Sequence, residues 1–159
     1  EKKIKAVHGL GGHNINEYEV HGNKLILSVP HNSQLKQKME EDEIYAIETY
    51  ASTGNGKLTQ LPISRCTHYG VNKMVNSSKN VVAKWVETKR NGLPFTQRWC
   101  TDGGLAMANK YILEGVKKQV FVAYPPLADT RDGAMTSQFE HTIRIKTGGV
   151  EIFSLGNDY

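Results

Sequence analysis

Two early stretches of the chain carry the apolar pattern of strands. Lys24-Leu25-Ile26-Leu27-Ser28-Val29 and Glu43-Ile44-Tyr45-Ala46-Ile47-Glu48-Thr49-Tyr50 are rich in apolar, β-branched or aromatic residues. Gly11-Gly12 and His31-Asn32-Ser33 punctuate them. From about 64 to 122 the pattern becomes helical. Ser77 or Ser78 is the predicted cap of a helix running to about Arg90, with Val82, Trp85 and Val86 on one face and the stem of Lys89 extending it. Asn91-Gly92 ends that helix, and a short segment around Phe95 to Trp99 follows. Asp102 is the predicted cap of a further helix holding Leu105, Ala108, Ile112 and Val116, with Gly115 near its end. The chain then returns to strands: Thr142-Ile143-Arg144-Ile145-Lys146 alternates, Gly148-Gly149 signals a hairpin turn, and Val150-Glu151-Ile152-Phe153 comes back. Strands, helices and strands again predict an α+β domain with a helical insertion, without internal repeats or low-complexity segments.

Composition narrows the class without naming a function. The 159 residues suffice for one domain, and 38% hydrophobic with 23% charged residues is a globular profile rather than a disordered or membrane one. No apolar run approaches a bilayer span. The net charge of +4, from 20 basic and 16 acidic residues, forms no arginine-rich stripe and gives little support to a nucleic-acid partner. The first residues, Glu1 to Lys5, lack both Met and a signal-peptide pattern, so the true start is expected elsewhere. Cys66 and Cys100 fit free thiols in a reducing compartment better than a disulfide framework.

Three islands hold candidate chemistry: Gly11-Gly12-His13-Asn14-Ile15 with His21 beyond it, Met39 to Thr49, and Tyr124-Pro125-Pro126-Leu127 leading to Gln138-Phe139-Glu140-His141-Thr142. Glu48 stands at the end of an apolar run, where burying a carboxylate is costly unless it is paired or binds a cation. Glu140 repeats the theme before an alternating strand, and His13 follows two glycines that allow close backbone approach. Taken as residues alone, these read first as two exposed strand carboxylates and a loop histidine, because no local metal signature joins them.

The islands, in this order, resemble type 2 methionine aminopeptidases. The match runs over Gly11 to His21, Met39 to Ser52, Tyr124 to Thr142 and the ending Gly156-Asn157-Asp158-Tyr159, which is similar to the eukaryotic ending of the family. The stretch 64–122, with Thr67-His68-Tyr69 and Gly92 to Trp99, resembles the insertion that separates type 2 from type 1 enzymes. The resemblance implies the pita-bread (creatinase/aminopeptidase) fold, with residues 1–159 as its C-terminal half. It implies a centre of two divalent metal ions, Mn, Co, Fe or Zn, held by two Asp, one His and two Glu. His13, Glu48 and Glu140 stand at the His and Glu positions, Glu48 doubling as the general base, and Glu140 bridging both metals. The two Asp ligands and a further histidine belong to the N-terminal half of such a protein, so this fragment alone is expected to be inactive.

By the same resemblance, His21 hydrogen-bonds the substrate carbonyl. Val20, Tyr50, His68, Pro94 and Tyr124 stand with it at positions of the methionine pocket. Tyr50 replaces a common Phe and Pro94 a common small residue, departures expected to alter the pocket's shape. His141 follows Glu140 and on a strand must point the other way. The implied activity is metal-dependent removal of N-terminal methionine from nascent proteins and peptides with a small second residue. Its implied setting is cytoplasmic, with the nascent chain, the ribosome and the N-terminal half as partners, and no membrane or specific nucleic acid. The alternatives are a non-catalytic pita-bread homologue acting as a binding module, another pita-bread peptidase such as a prolidase, and a basic RNA-binding domain. Retention of His13, Glu48 and Glu140 argues against the first, and Tyr124-Pro125-Pro126-Leu127 against the second.

Overall fold

A computed structural model describes residues 3–31 and 37–157. Glu1 and Lys2, Asn32-Ser33 of the predicted punctuation and Asp158-Tyr159 of the ending lie outside the described residues. In chain order the strands and helices are β1 (Lys5–Ala6), β2 (Gly11–Ile15), β3 (Leu25–Leu27), β4 (Ile44–Ser52), β5 (Leu58–Gln60), β6 (His68–Val71), α1 (Val81–Arg90), β7 (Phe95–Thr96), α2 (Gln97–Asp102), α3 (Ala108–Lys117), β8 (Phe121–Tyr124), β9 (Leu127–Asp129), β10 (Thr136–Lys146) and β11 (Gly149–Ile152). They divide into two compact units, one made of Glu1–Thr59 with Ala128–Tyr159 and the other of Gln60–Leu127.

The first unit is built on a sheet in the order β11-β10-β4-β2-β3, with β1 also paired to β4. Every pairing in it is antiparallel. Strand β4 is central: β10 pairs along its whole length, while β2 and β1 share its other edge. Tyr45 and Ile143 face each other across β4 and β10 and are buried on one side of the sheet. The hairpin between β10 and β11 turns at Gly148, whose φ of 79° is the left-handed conformation glycine adopts without penalty. Gly149 already belongs to the returning strand, so one glycine of the predicted pair makes the turn.

In the second unit α1 is capped by Asn80, not Ser77 or Ser78: the Asn80 side chain accepts from the backbone N–H of Val82 and Ala83. Asn91, in the left-handed region at φ 51°, ends the helix where the Asn-Gly signal placed its stop. Asp102 does not begin a helix but ends α2, which Thr96 caps, and α3 starts later, after Met107. The stretch read as helical also contains a three-stranded antiparallel sheet in the order β7-β6-β8. Val82, Val86, Phe95, Cys100, Ile112 and Phe121 form the centre of this unit's core. Among the described residues no helix is long and apolar enough to cross a membrane.

Candidate functional site

Side chains alternate along a strand, and residues paired across strands share a face. Ala46, Glu48 and Tyr50 of β4 therefore look to one side, the side opposite Tyr45. Their partners on β10 are Thr142, Glu140 and Gln138, and His13 of β2 pairs with Ala46. Register alone thus brings His13, Glu48, Tyr50, Gln138 and Glu140 onto one face. Glu48 lies in the middle of β4 rather than at its end, because Thr49 to Ser52 continue the pairing with β10. A Cβ on Gly12 would lie 2.0 Å from the Ala46 carbonyl oxygen, so glycine next to His13 is what lets β2 close onto β4.

The loop after β2 is folded back over this face. The N–H of Gly22 donates to the Asn14 carbonyl at 2.8 Å and that of Lys24 to Asn14 Oδ1 at 2.8 Å. The His21 ring consequently rests 4.4 Å from the His13 ring, centroid to centroid. Desolvation, followed by the neighbouring His13, lowers the pKa of His21 below the ordinary histidine value, while Glu48 and Glu140 pull it back up.

His13 and Asn14 are buried. Nδ1 of His13 contacts the Asn14 carbonyl at 3.1 Å, a contact in which the nitrogen must donate. In the tautomer with that proton on Nδ1, Nε2 would present a lone pair toward Glu48 Oε1, 3.3 Å away. Two acceptors face to face are favourable only with a proton or a cation between them. Glu48 Oε2 accepts the Tyr50 hydroxyl. Burial and then this bond push the Tyr50 phenol well above its usual range. Gln138 pairs with Tyr50 in register, and its Nε2 donates to Glu140 Oε2 at 3.0 Å.

One imidazole nitrogen and two carboxylates are donors that suit Mn, Co, Fe or Zn. The facing lone pairs of His13 and Glu48 fit one side of a divalent-metal site, and Glu140 lies directly across the strand pair. Among the described residues no three His, Cys, Asp or Glu side chains converge to hold a metal by themselves. The arrangement is thus a partial donor set. His141 is directed to the other face, where Nδ1 lies 2.9 Å from Ser154 Oγ.

The remaining pocket candidates belong to different places. Val20 is half-buried in the loop that carries His21. His68, Pro94 and Tyr124 belong to the second unit. There His68 of β6 pairs with Tyr124 of β8, both are exposed, and the Tyr124 ring covers Gly70. His68 Nδ1 lies 2.9 Å from Thr67 Oγ1. Pro94, half-buried, leads into β7.

Sequence reasoning missed two groups. Gln138 was visible only as part of a motif, although it faces Tyr50 in register. Asp129 is buried, and its carboxylate accepts from Ser52 Oγ at 2.8 Å and from the backbone N–H of Asn55, Gly56 and Arg131 at 3.0, 2.7 and 2.8 Å. The signal for it is the pair of turn-rich runs Ser52-Thr53-Gly54-Asn55-Gly56 and Asp129-Thr130-Arg131-Asp132-Gly133, each of which leaves N–H groups needing an acceptor.

No family profile matches the chain. Individual relatives do. Methionine aminopeptidase 2 of Laccaria bicolor is 37% identical over 98% of this chain and 44% of its own length. Methionine aminopeptidase 2-2 of Talaromyces stipitatus is 37% identical over 98% of this chain and 34% of its own. Methionine aminopeptidase 2 of Paracoccidioides lutzii is 40% identical over 98% of this chain and 36% of its own. The chain therefore spans less than half the length of the curated relatives it matches. Among solved structures, that of a thermophilic Arx1 superposes with a TM-score of 0.76 at 22% identity, over 98% of this chain and 42% of that one, and shows the shared pita-bread fold. Along nearly its whole length the chain is thus homologous to part of the type 2 methionine aminopeptidases, consistent with their C-terminal half.

Proposed function

We propose that this chain supplies part of the catalytic centre of an aminopeptidase that removes N-terminal methionine from peptides and nascent chains with a small second residue. The observation that carries the reading is the gathering of His13, His21, Glu48 and Glu140 on one side of one sheet. In this reading His13, Glu48 and Glu140 are three ligands of a two-metal centre, and a preceding half of the protein contributes two Asp. Divalent ions bound there would supply a water acidic enough to ionise near neutral pH. Glu48 accepts the proton of the attacking water and returns it to the leaving amine. His21, on its loop above His13, donates to the carbonyl oxygen as charge develops on it. Val20 and Tyr50 in the first unit are assigned to the methionine side chain, whose thioether packs well on apolar and aromatic surfaces. A cytoplasmic setting and delivery of nascent chains at the ribosome follow from that activity.

The test is methionine release from a Met-Ala-Ser peptide with added Mn or Co, by this chain alone and by this chain mixed with the preceding half. Release by the mixture and none by the chain alone is expected. No release by either favours a pita-bread binding module. Glu140→Ala should abolish metal loading at both positions; full loading would remove Glu140 from the ligand set. His21→Ala should cut turnover about 100-fold with metal content unchanged, and an unchanged rate would take it out of the mechanism.

A further inference from the structure

Glu48 is engaged at both oxygens. Oε1 lies 3.3 Å from His13 Nε2, and Oε2 accepts the Tyr50 hydroxyl. Across the strand pair from Tyr50, two residues along from the pair Glu48–Glu140, stands Gln138, which donates to Glu140 Oε2. A carboxylate on a free side chain offers a cation both oxygens and rotates between one- and two-oxygen contact. With Oε2 given to a phenol, only Oε1 faces the lone pair of His13. A phenol has one proton to donate, and here it goes to Glu48. Such outer partners fix the geometry of the group that touches a metal.

We propose that Tyr50 is a positioning residue that restrains Glu48 to one-oxygen contact with a cation held beside His13. The proposal rests on the reading of His13 and Glu48 as metal ligands. It concerns how tightly and in what geometry the cation is held, and it places the bonded pairs Tyr50–Glu48 and Gln138–Glu140 side by side across β4 and β10.

The experiment uses this chain together with the preceding half of the protein that supplies the two Asp, wild type and Tyr50→Phe, with Glu48→Gln as a control. Mn binding is followed by the electron paramagnetic resonance signal of free Mn, and the geometry by the visible spectrum of added Co. Tyr50→Phe is isosteric, and an unchanged thermal midpoint confirms that it folds. The expected results are a Mn dissociation constant raised about tenfold in Tyr50→Phe and a weaker Co band, as Glu48 adds its second oxygen to the metal. A Tyr50→Phe protein with wild-type Mn affinity and an unchanged Co spectrum overturns the proposal. In that case loss of Mn binding in Glu48→Gln leaves the ligand assignment standing. Wild-type Mn binding by Glu48→Gln sinks the ligand assignment itself, and this proposal with it.

Discussion

The two units are stabilised by different means. Gln60–Leu127 holds the large apolar core, in which Val82, Ala83, Val86, Cys100 and Ile112 are fully enclosed and Phe95 packs edge-on against Phe121 at 5.2 Å. The other unit contains all four buried polar residues described, His13, Asn14, Ser52 and Asp129, and few fully buried apolar ones. It also leaves Phe139, Val150, Phe153 and Leu155 exposed. Apolar burial is non-directional, so it gives stability without dictating which groups face each other. Hydrogen bonds and strand register do dictate that, and the unit with the candidate site relies on them. The contrast is a division between a part that secures folding and a part that secures geometry.

The largest effect that would test this division is Phe95→Ala. Removing a ring from that core should destabilise the protein by about 3–5 kcal/mol, read from the denaturant midpoint, with Mn affinity of the folded protein unchanged. A shift in Mn affinity without a loss of stability would erase the distinction. His13→Ala should do the reverse, weakening Mn binding on the order of 100-fold, at or beyond the upper end of what loss of an outer partner costs, while the unfolding midpoint barely moves. Asp129 sharpens the point from the polar side. Four donors, foremost the N–H groups of Asn55 and Arg131, hold its carboxyl well below the usual carboxylate range. The folded protein therefore binds fewer protons than the unfolded chain as acid is added. Asp129's stabilisation is complete above about pH 4 and is lost as the pH falls toward the folded value. Asp129→Asn should flatten that acid limb in a series of thermal midpoints, and an unaltered limb would deny the carboxylate its role. The smallest change is Asn80→Ala, which removes the cap of α1 and should cost about 1 kcal/mol, again without effect on metal binding.

Much of the sheet was legible in the sequence because period-two patterns survive wherever one face is covered. Thr142 to Lys146 reads as a strand from its alternation, and it is one. Its extension back to Thr136 was not legible: Thr136, Ser137, Gln138 and Glu140 are polar, and only pairing with β4 makes them strand. In the second unit the strands run two to four residues, too short for any period to show. The cap of α1 was displaced by two or three residues because Ser77, Ser78 and Asn80 are all competent acceptors, and only the packing of Val82 and Val86 selects among them. At the site, motif resemblance singled out His13, His21, Glu48 and Glu140. The contacts of Gln138 and the hydroxyl of Tyr50 depend on register, which no local pattern encodes. Asp129 escaped because three of its four donors lie more than seventy residues earlier in the chain.

The central position of β4 has a consequence for how such a chain can change length. It is paired with β10 along its whole length and with β2 and β1 along parts of its other edge, and Glu48 and Tyr50 stand on the candidate site's face. Deleting one residue between Ile44 and Glu48 would turn Glu48 and Tyr50 to the opposite side of the sheet and bring Thr49 in their place. No substitution elsewhere could repair that. The strand therefore works as a ruler: variation in what it carries is negotiable one side chain at a time, and variation in its length is not.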